Sequence, residues 1–209
     1  MKYIAHRGYH NKNRKENTLI AFKKAISDEY FSGFELDIRQ SKDKKIVVIH
    51  DAYIDRISNS SGLVKNKTAK ELKKIGVPTL QEVLKLATDK IILIEIKEAD
   101  LNIKNLLKII KKYPNRKIYI DSFNKSVIKK LDLKPRKYKL GTLNFMLPNV
   151  NNYPYDFIGI YKKALTKDLY YKAQKLHKEV FVWGLLDIPN FDNSLKKEEN
   201  LYLIVNKKI

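Results

Sequence analysis

The chain of 209 residues contains no cysteine. This absence excludes disulfides, thiolate metal sites and a cysteine nucleophile, so a bound metal ion would need oxygen or imidazole ligands. The chain also lacks any apolar stretch near the ~20 residues that cross a bilayer, and Met1–Ala5 leads directly into polar sequence without the apolar core of a signal peptide. A soluble cytoplasmic protein is therefore the expectation.

Acidic residues are scarce relative to basic ones. The chain has 43 Lys and Arg against 23 Asp and Glu, a formal net charge of +20. Only six of the basic residues are arginine, and the 37 lysines are dispersed over nearly every predicted helix, as on a solvated surface. This pattern argues against nucleic acid as a partner. It indicates a field that favours anionic substrates, or a weak attraction to an anionic membrane surface.

Strand-like and helix-like segments alternate along the chain, with no internal repeat or linker. The segments that predict strands are Lys2–Ala5, Phe34–Ile38, Ile46–Ile49, Ile91–Ile96, Lys117–Ile120, Lys139–Leu143, Phe157–Ile160, Val180–Trp183 and Tyr202–Val205. Helical spacing of apolar residues predicts helices over Thr18–Glu29, Thr79–Ala87, Leu101–Ile110, Lys125–Leu131 and Lys167–Leu176. Unbroken apolar runs such as Ile91–Ile94 indicate strands buried on both faces, as in a parallel sheet covered by helices.

This alternation predicts an α/β fold, a (β/α)8 TIM barrel formed by residues 1–209 as a single domain, with an open doubly wound sheet as the alternative. Eight strands result if Ile46–Ile49 is an extension of the second strand. A stretch rich in Ser, Asn and Lys at about 51–77 predicts a small insertion after the second strand. Two prolines within Asn144–Asp156 predict a short or missing helix there, and hence a shortened C-terminal half.

Acidic residues occur near the ends of the predicted strands, and the strand ends of a parallel barrel meet at one rim. Glu35 and Asp37 are two residues apart and share a face of their strand, as do Glu95 and Lys97. Inward carboxylates repel one another unless a cation lies among them, so these three carboxylates are predicted to hold one divalent cation. Oxygen donors favour Mg²⁺ or Ca²⁺ without separating the two. The alternative is that the two glutamates form inward ion pairs with Lys97 and Arg7.

Two histidines follow predicted strands and should leave the same rim. His6 and His50 lie beside the acidic residues, and an imidazole of pKa near ~6.5 can serve as an acid or as a base near neutrality. His10 and His177 lack such neighbours and are assigned to the surface. Among the cations, Arg7 can offer two parallel donors to a phosphate or can clamp a carboxylate instead.

The order and approximate spacing of several short motifs resemble those of the glycerophosphodiester phosphodiesterases. The motifs are His6-Arg7-Gly8, Glu16-Asn17-Thr18, Glu35-x-Asp37, His50-Asp51, Pro78-Thr79-Leu80-x-Glu82-Val83-Leu84, Glu95-x-Lys97, Ser122-Phe123 and Val182-Trp183. The resemblance covers essentially the whole chain. It implies a TIM barrel with a small insertion after the second strand, and divalent-metal-dependent hydrolysis of glycerophosphodiesters to glycerol 3-phosphate and an alcohol.

The resemblance also implies individual roles. These are metal ligands at Glu35, Asp37 and Glu95, an acid–base pair at His6 and His50, phosphate binding by Arg7 and Lys97, a first loop braced by Glu16 and Asn17, orientation of His50 by Asp51, and a glycerol pocket lined by Phe123 and Trp183. Where the family has an acidic residue and a proline after the last strand, this chain has Asn206-Lys207. This difference bears on substrate fit and on barrel closure.

Three other functions stay open at this point. A related phosphodiesterase that cleaves phospholipids would share the barrel and the metal site. A noncatalytic homologue that binds a phosphate ligand would bind without turnover. A nucleic-acid-binding protein would show strongly salt-dependent affinity for DNA or RNA.

Overall fold

A computed structural model of the chain describes residues 1–86, 88–185, 195 and 198–208. Its strands are β1 (Lys2–Ala5), β2 (Gly33–Gln40), β3 (Ile46–Val48), β4 (Ile91–Ile96), β5 (Lys117–Asp121), β6 (Lys139–Asn144), β7 (Phe157–Tyr161), β8 (Glu179–Leu185) and β9 (Leu201–Val205). All except β3 pair in parallel with both neighbours, and β1 closes the ring by pairing with β9 and β2. The predicted TIM barrel with eight parallel strands is confirmed for the described part of the chain.

The α-helices lie in the connections between strands. They are α1 (Leu19–Ser27), α2 (Ala69–Lys74), α3 (Leu80–Leu84), α4 (Ile103–Lys111), α5 (Lys125–Leu131) and α6 (Lys167–Lys175). Thr18, the expected start of α1, is its N-cap, where its hydroxyl accepts from the Ala21 amide. The prediction over Thr79–Ala87 was too long: α3 ends at Leu84, followed by a tighter turn in which the Leu86 amide donates to Val83. Ala87 lies outside the described residues.

The prediction that Ile46–Ile49 extends the second strand was wrong. Ile46–Val48 forms β3, which pairs antiparallel with residues 38–40 of β2. The turn between them is closed by Ser41, whose amide donates to the Lys45 carbonyl, and Lys44 adopts a left-handed conformation with φ of 59°. Such a turn reverses the chain, so β3 lies beside the barrel wall and the next parallel neighbour of β2 is β4.

The insertion predicted after the second strand contains a 3₁₀ turn (Val64–Asn66) and α2. Thr68 and Glu71 form a reciprocal capping box at the start of α2. The segment packs on a small apolar cluster of its own, made of Val47, Ile49, Ile54, Val64, Leu72 and Val77. Between β6 and β7 the chain forms only a 3₁₀ turn (Val150–Asn152), as the two prolines led us to expect.

Two apolar layers hold the barrel together. The larger lies between the strands and the surrounding helices, and the smaller fills the barrel interior. In the interior, Phe181 stacks on Tyr202 with ring centroids 4.4 Å apart. The hydroxyls of Tyr119 and Tyr202 both donate to Glu179, at the start of β8, over 3.1 Å. The N-terminal end of the barrel is thus filled by side chains.

None of the helices in the described ranges is both long and apolar enough to cross a lipid bilayer.

Candidate active site

A cavity of about 230 Å³ opens at the C-terminal ends of the barrel strands. Its polar lining residues are His6, Arg7, Glu35, His50, Glu95, Lys97, Asp121 and Asn206. Its apolar lining residues include Phe123, Leu143, Trp183, Leu185 and Ile204. Apart from Asn206, the polar residues come from β1 to β5 and the segments that follow them, whereas the apolar ones, except Leu93 on β4, come from the end of β5 through β9. The cavity therefore has one charged side and one apolar side.

The predicted metal ligands meet at the wall of this cavity, where Glu35 and Glu95 line it and Asp37 is fully buried. Glu35 and Asp37 on β2 and Glu95 on β4 each present a carboxylate oxygen, and the three atoms lie within 4.8 Å of one another. Parallel register places Asp37 beside Glu95. Glu35 and Asp37 are buried, and one oxygen of each, Oε1 and Oδ1, has no hydrogen-bond partner. Unpartnered buried oxygens are costly, and here they belong to groups that can ligate a metal.

The electrostatics of the cluster support a cation as its missing partner. Burial, followed by the charges of Asp37 and Glu95, raises the pKa of Glu35 well above its ordinary value. Burial and the charge of Asp37 also raise the pKa of Glu95. Both shifts reflect first the cost of burying a charged carboxylate and then the repulsion between neighbouring carboxylates. A divalent ion would relieve that cost, and the donor set of hard oxygens suits Mg²⁺ or Ca²⁺, so the residues fit such a group.

The two predicted phosphate-binding cations already contact carboxylates. Lys97 Nζ lies 2.6 Å from Glu95 Oε1 and 3.6 Å from Asp37 Oδ1. Arg7 lies 2.8 Å from Glu16 through Nη1 and 3.3 Å from Asp37 through Nε. The ion pair expected between Lys97 and a glutamate is present, but Arg7 reaches Glu16 and Asp37 through its guanidinium. Ion pairing therefore accounts for part of the cluster, but Glu35 Oε1 still has no hydrogen-bond partner.

The His6-Arg7-Gly8 motif has a structural basis in a left-handed turn. Arg7 has φ of 52° and Gly8 has φ of 76°, which directs the Arg7 amide to donate to Glu35 Oε2 over 2.8 Å. A Cβ at Gly8 would lie 2.9 Å from Ala21, so glycine is required both for the conformation and for the close approach of α1.

Asn17, in the first loop, makes two hydrogen bonds to Asp37. Its side-chain amide donates to Asp37 Oδ2 over 2.9 Å, and its Oδ1 accepts from the Asp37 backbone amide. Asn17 itself has φ of 55°, a conformation that asparagine tolerates better than most residues. The contact holds one oxygen of Asp37 and leaves the other directed to the cluster.

His6 is oriented by a residue that sequence reasoning did not assign to the site. Its Nδ1 lies 2.7 Å from Oδ1 of Asn206, just beyond β9. A side-chain carbonyl oxygen only accepts, so Nδ1 carries the proton and Nε2 keeps a lone pair, 3.9 Å from Glu35 Oε2. Burial and the nearby charge of Arg7 lower the pKa of His6 to about 4, although the Asn206 bond opposes the shift. The sequence feature that could have identified Asn206 is the Asn206-Lys207 pair, which stands where the family has an acidic residue and a proline.

His50 has a charged partner instead. Its Nδ1 lies 2.6 Å from Asp51 Oδ1, the contact expected from the sequence. Burial lowers the pKa of His50, while the charge of Asp37 and the bond to Asp51 oppose that shift. The two imidazoles therefore share a cavity but differ in what holds Nδ1: a neutral amide for His6, a carboxylate for His50.

Arg56, in the insertion, ties the supporting residues together and was also missed from the sequence. Its guanidinium contacts both oxygens of Glu16, over 2.8 and 3.1 Å, and Asp51 Oδ2 over 2.5 Å. Burial alone would raise the pKa of Glu16, but the bonds from Arg56 and the charge of Arg7 lower it to about 2. Glu16 thus links the first loop to the insertion, and Asp51 is fixed from the side opposite His50.

Asp121 is a further acidic residue that the sequence analysis did not single out. It is the last residue of β5, pairs in register with Glu95, and is 1% exposed. Its Oδ1 has no hydrogen-bond partner. Burial and the charge of Glu95 raise its pKa well above the ordinary value. The available signal was the position directly before Ser122-Phe123, at the end of a predicted strand.

The remaining sequence predictions concern two aromatic residues and two histidines, and one of them was wrong. Phe123 and Trp183 both line the cavity, as expected, and their rings meet edge to face at 5.2 Å. His177 is exposed, as expected. The surface assignment of His10 was wrong, because His10 is half-buried and its Nε2 is enclosed without a hydrogen-bond partner. Its chain neighbours fold back over the barrel end, with the His10 amide donating to Gly8.

A TIM barrel with carboxylates, two imidazoles and two cations at its C-terminal mouth has the groups that chemistry on an anionic substrate requires. The sequence model of the glycerophosphoryl diester phosphodiesterase family matches residues 6–196. The chain belongs to this family.

Several known proteins are similar to this chain. A glycerophosphodiester phosphodiesterase of Caldanaerobacter subterraneus subsp. tengcongensis is 37% identical over 160 residues, 67% of this chain and 65% of that protein. A glycerophosphodiester phosphodiesterase of Bacillus altitudinis is 39% identical over 102 residues, 43% of this chain and 41% of that protein. The chain thus spans less than two thirds of the length of these curated relatives.

Solved structures share the fold over nearly the whole chain. The crystal structure of a glycerophosphodiester phosphodiesterase from Thermotoga maritima has a TM-score of 0.80 and 30% identity, covering 98% of this chain and 93% of that one. An Oleispira antarctica phosphodiesterase in complex with the product sn-glycerol-3-phosphate has a TM-score of 0.80, covering 99% of this chain and 93% of that one. At 18% identity, the second similarity concerns the fold alone.

Proposed function

We propose that residues 1–209 act as a single-domain hydrolase that cleaves glycerophosphodiesters to glycerol 3-phosphate and an alcohol. The observation that carries the proposal is the convergence of three carboxylate oxygens within 4.8 Å, two of them from the buried residues Glu35 and Asp37, beside a cavity that both imidazoles and both cations line. Family membership supports the substrate class. The product named for the Oleispira antarctica phosphodiesterase, sn-glycerol-3-phosphate, is the product proposed here.

Glu35, Asp37 and Glu95 would hold one divalent cation, either Mg²⁺ or Ca²⁺. When bound, such an ion supplies electrostatic stabilisation for negative charge that develops on the phosphate oxygens. Glu35 Oε1 and Asp37 Oδ1, which have no hydrogen-bond partner, and the raised pKa values of Glu35 and Glu95 support this assignment. Lys97, at the edge of the cluster, adds positive charge at the cavity wall.

The hydrogen-bond partners of the two imidazoles suggest how they divide proton transfer. The Asn206 contact keeps the Nδ1 proton of His6 in place, so its Nε2 lone pair is free to accept a proton from the attacking hydroxyl. The Asp51 carboxylate stabilises a positively charged His50, which suits that residue to donate a proton to the leaving oxygen. In this proposal His6 is the base and His50 is the acid.

The apolar side of the cavity would hold the glycerol portion. Phe123 and Trp183 present ring surface to the cavity, against which the carbon backbone of glycerol can pack. Arg7 lies in the charged wall, where its guanidinium adds positive charge near the phosphate although it is already held by Glu16 and Asp37. Its contribution is a fixed positive field rather than a free bidentate fork.

The test measures release of glycerol 3-phosphate from glycerophosphocholine and glycerophosphoethanolamine, with added Mg²⁺, added Ca²⁺ or EDTA. We expect turnover with a divalent ion and none in EDTA. His6→Ala and His50→Ala should each lower kcat/KM by about 10²–10⁴-fold. His177→Ala, an exposed histidine far from the cavity lining, is the matched control and should retain full activity.

Other outcomes would overturn the proposal in distinct ways. Near-normal turnover in either cavity histidine variant would refute the acid–base assignment. Cation binding by calorimetry without any product would indicate a noncatalytic homologue. Cleavage of intact phospholipids in preference to glycerophosphodiesters would indicate the related phospholipid-cleaving activity.

A further inference from the structure

An exposed apolar patch borders the mouth of the cavity. It consists of Phe123, after β5, and Phe145, Met146 and Leu147, in the connection between β6 and β7; we refer to these four residues as the apolar rim. Their side chains are 41%, 63%, 79% and 56% exposed, respectively. Single exposed apolar residues are ordinary, but a contiguous group of large ones marks a surface that meets an apolar partner.

Aromatic packing holds the rim in place. Phe145 stacks on Phe123 with centroids 5.0 Å apart and 22° between the ring planes. It also meets Trp183 edge to face at 4.9 Å and lies 6.1 Å from Tyr161. Met146 and Leu147 follow directly on this anchored ring, and Met146 is the most exposed residue of the rim. Tryptophan and tyrosine behind an exposed apolar tip are the ring types that favour a membrane–water interface.

Lysines flank the rim in the described segments that leave β5, β6 and β7. The segments that leave β5, β6 and β7, residues 122–126, 145–155 and 162–167, contain four lysines and no carboxylate: Lys125, Lys162, Lys163 and Lys167. Lysine near an apolar surface can keep its ammonium at the level of lipid headgroups while its stem lies against apolar groups. The rim therefore combines an apolar tip with surrounding positive charge.

We propose that the apolar rim docks on an anionic lipid bilayer, with Met146 and Leu147 entering the headgroup–acyl boundary and the lysines meeting anionic headgroups. The net charge of +20 favours this occupant over a second copy of the chain, because pairing two such surfaces would bring like charges together. Docking would turn the cavity mouth towards the headgroup layer. The proposal goes beyond the proposed function and does not depend on catalysis.

Vesicle co-sedimentation tests the docking directly. The wild-type protein is mixed with vesicles of phosphatidylcholine alone or with about 30% phosphatidylglycerol, and is expected to bind the anionic vesicles far more strongly. Met146→Ser combined with Leu147→Ser should weaken that binding by about tenfold or more, because two apolar side chains no longer enter the boundary. Leu133→Ser is the matched control: Leu133 is 58% exposed and follows α5, towards the opposite end of the barrel. It should bind as the wild type does.

A second pair of variants separates local charge from net charge. Lys162→Gln with Lys163→Gln should weaken binding to anionic vesicles by about fivefold per lysine. Lys111→Gln with Lys112→Gln, at the C-terminal end of α4, removes the same net charge and should have a smaller effect. Trp183 is the only tryptophan in the chain, so quenching of its emission by brominated lipids reports whether the rim itself approaches the bilayer.

Four results would overturn the proposal. These are absence of binding to anionic vesicles, equal binding to neutral and anionic vesicles, equal losses in the rim variants and their controls, or binding without quenching of Trp183. Concentration-dependent self-association that the Met146 and Leu147 substitutions abolish, with no vesicle binding, would assign the rim to contact with a second copy instead.

Discussion

The substitution Asn206→Asp replaces the side-chain amide nitrogen with oxygen at the residue that orients His6. Its effect on the pH dependence of the reaction can be worked out in advance. The Asn206 oxygen is 2.7 Å from His6 Nδ1. Aspartate has nearly the same shape, so it can keep this contact while placing a full negative charge beside the ring. An opposite charge at this distance favours the protonated imidazole and should raise the pKa of His6 by about 1–2 units.

The consequence for the rate follows from the role proposed for His6. A base must be neutral to act, and with a pKa of about 4 about nine tenths of His6 is neutral at about pH 5. A pKa of about 5.5 leaves about one quarter neutral at the same pH, so kcat/KM at about pH 5 should fall about fourfold. Well above both pKa values the ring is neutral in both proteins. The acidic limb of the profile should therefore move to higher pH, with little change at alkaline pH.

The assay is glycerol 3-phosphate release across the pH range at a fixed divalent cation concentration. Asn115→Asp, on the exposed turn before β5, adds the same charge far from the cavity and should leave the profile unchanged. Thermal stability gives an independent measurement. In the wild type, unfolded His6 binds a proton below its ordinary pKa of 6.5 while folded His6 stays neutral down to about 4, so stability falls as pH drops through that window. Asn206→Asp should reduce that fall. An unshifted acidic limb would refute the assignment of His6 as the base.

Three other substitutions test the fold and the site. Phe181→Ala removes a buried ring stacked on Tyr202 inside the barrel and should lower the free energy of unfolding by about 3–5 kcal/mol in denaturant titrations; a loss below about 1 kcal/mol would contradict the packing. Glu95→Gln should weaken divalent cation binding by about tenfold or more in calorimetry, and unchanged affinity would remove Glu95 from the ligand set. Contacts that include Arg56 lower the pKa of Glu16 to about 2. The charged Glu16 therefore stabilises the fold at pH values above the ordinary glutamate pKa, and this stabilisation is lost as the pH falls towards 2. Glu16→Gln should therefore flatten the dependence of Tm on pH in that acidic window, and an undiminished slope would contradict this.

Most of the barrel could be predicted from sequence because strands buried on both faces carry unbroken apolar runs, as in Ile91–Ile96. The exception, β3, shows the limit of that signal. An apolar run of three or four residues does not show whether the strand pairs parallel or antiparallel with its neighbour. The reversal depends on the turn at Ser41–Lys45, where a lysine rather than a glycine takes the left-handed conformation.

The acidic site could be predicted only in part from the sequence: Glu35, Asp37 and Glu95 were expected, whereas Asp121 was not. Glu35 and Asp37 are related by the period of two along β2, which a sequence displays. Asp121 joins the cluster through register, because β5 pairs with β4 so that Asp121 lies beside Glu95. Register between strands is set by packing across the whole sheet, and no spacing within one segment encodes it.

The hydrogen-bond partners of the two histidines could also be predicted only in part from the sequence. Asp51 is adjacent to His50 in sequence, so its contact could be expected, whereas Asn206 reaches His6 only because β9 closes the barrel against β1. The residue at which this chain differs from the family pattern, Asn206, is therefore the one that makes the hydrogen bond to His6, the proposed base. A neutral partner at His6 and a charged partner at His50 would favour different protonation states of two otherwise identical side chains, as the proposed division into a base and an acid requires.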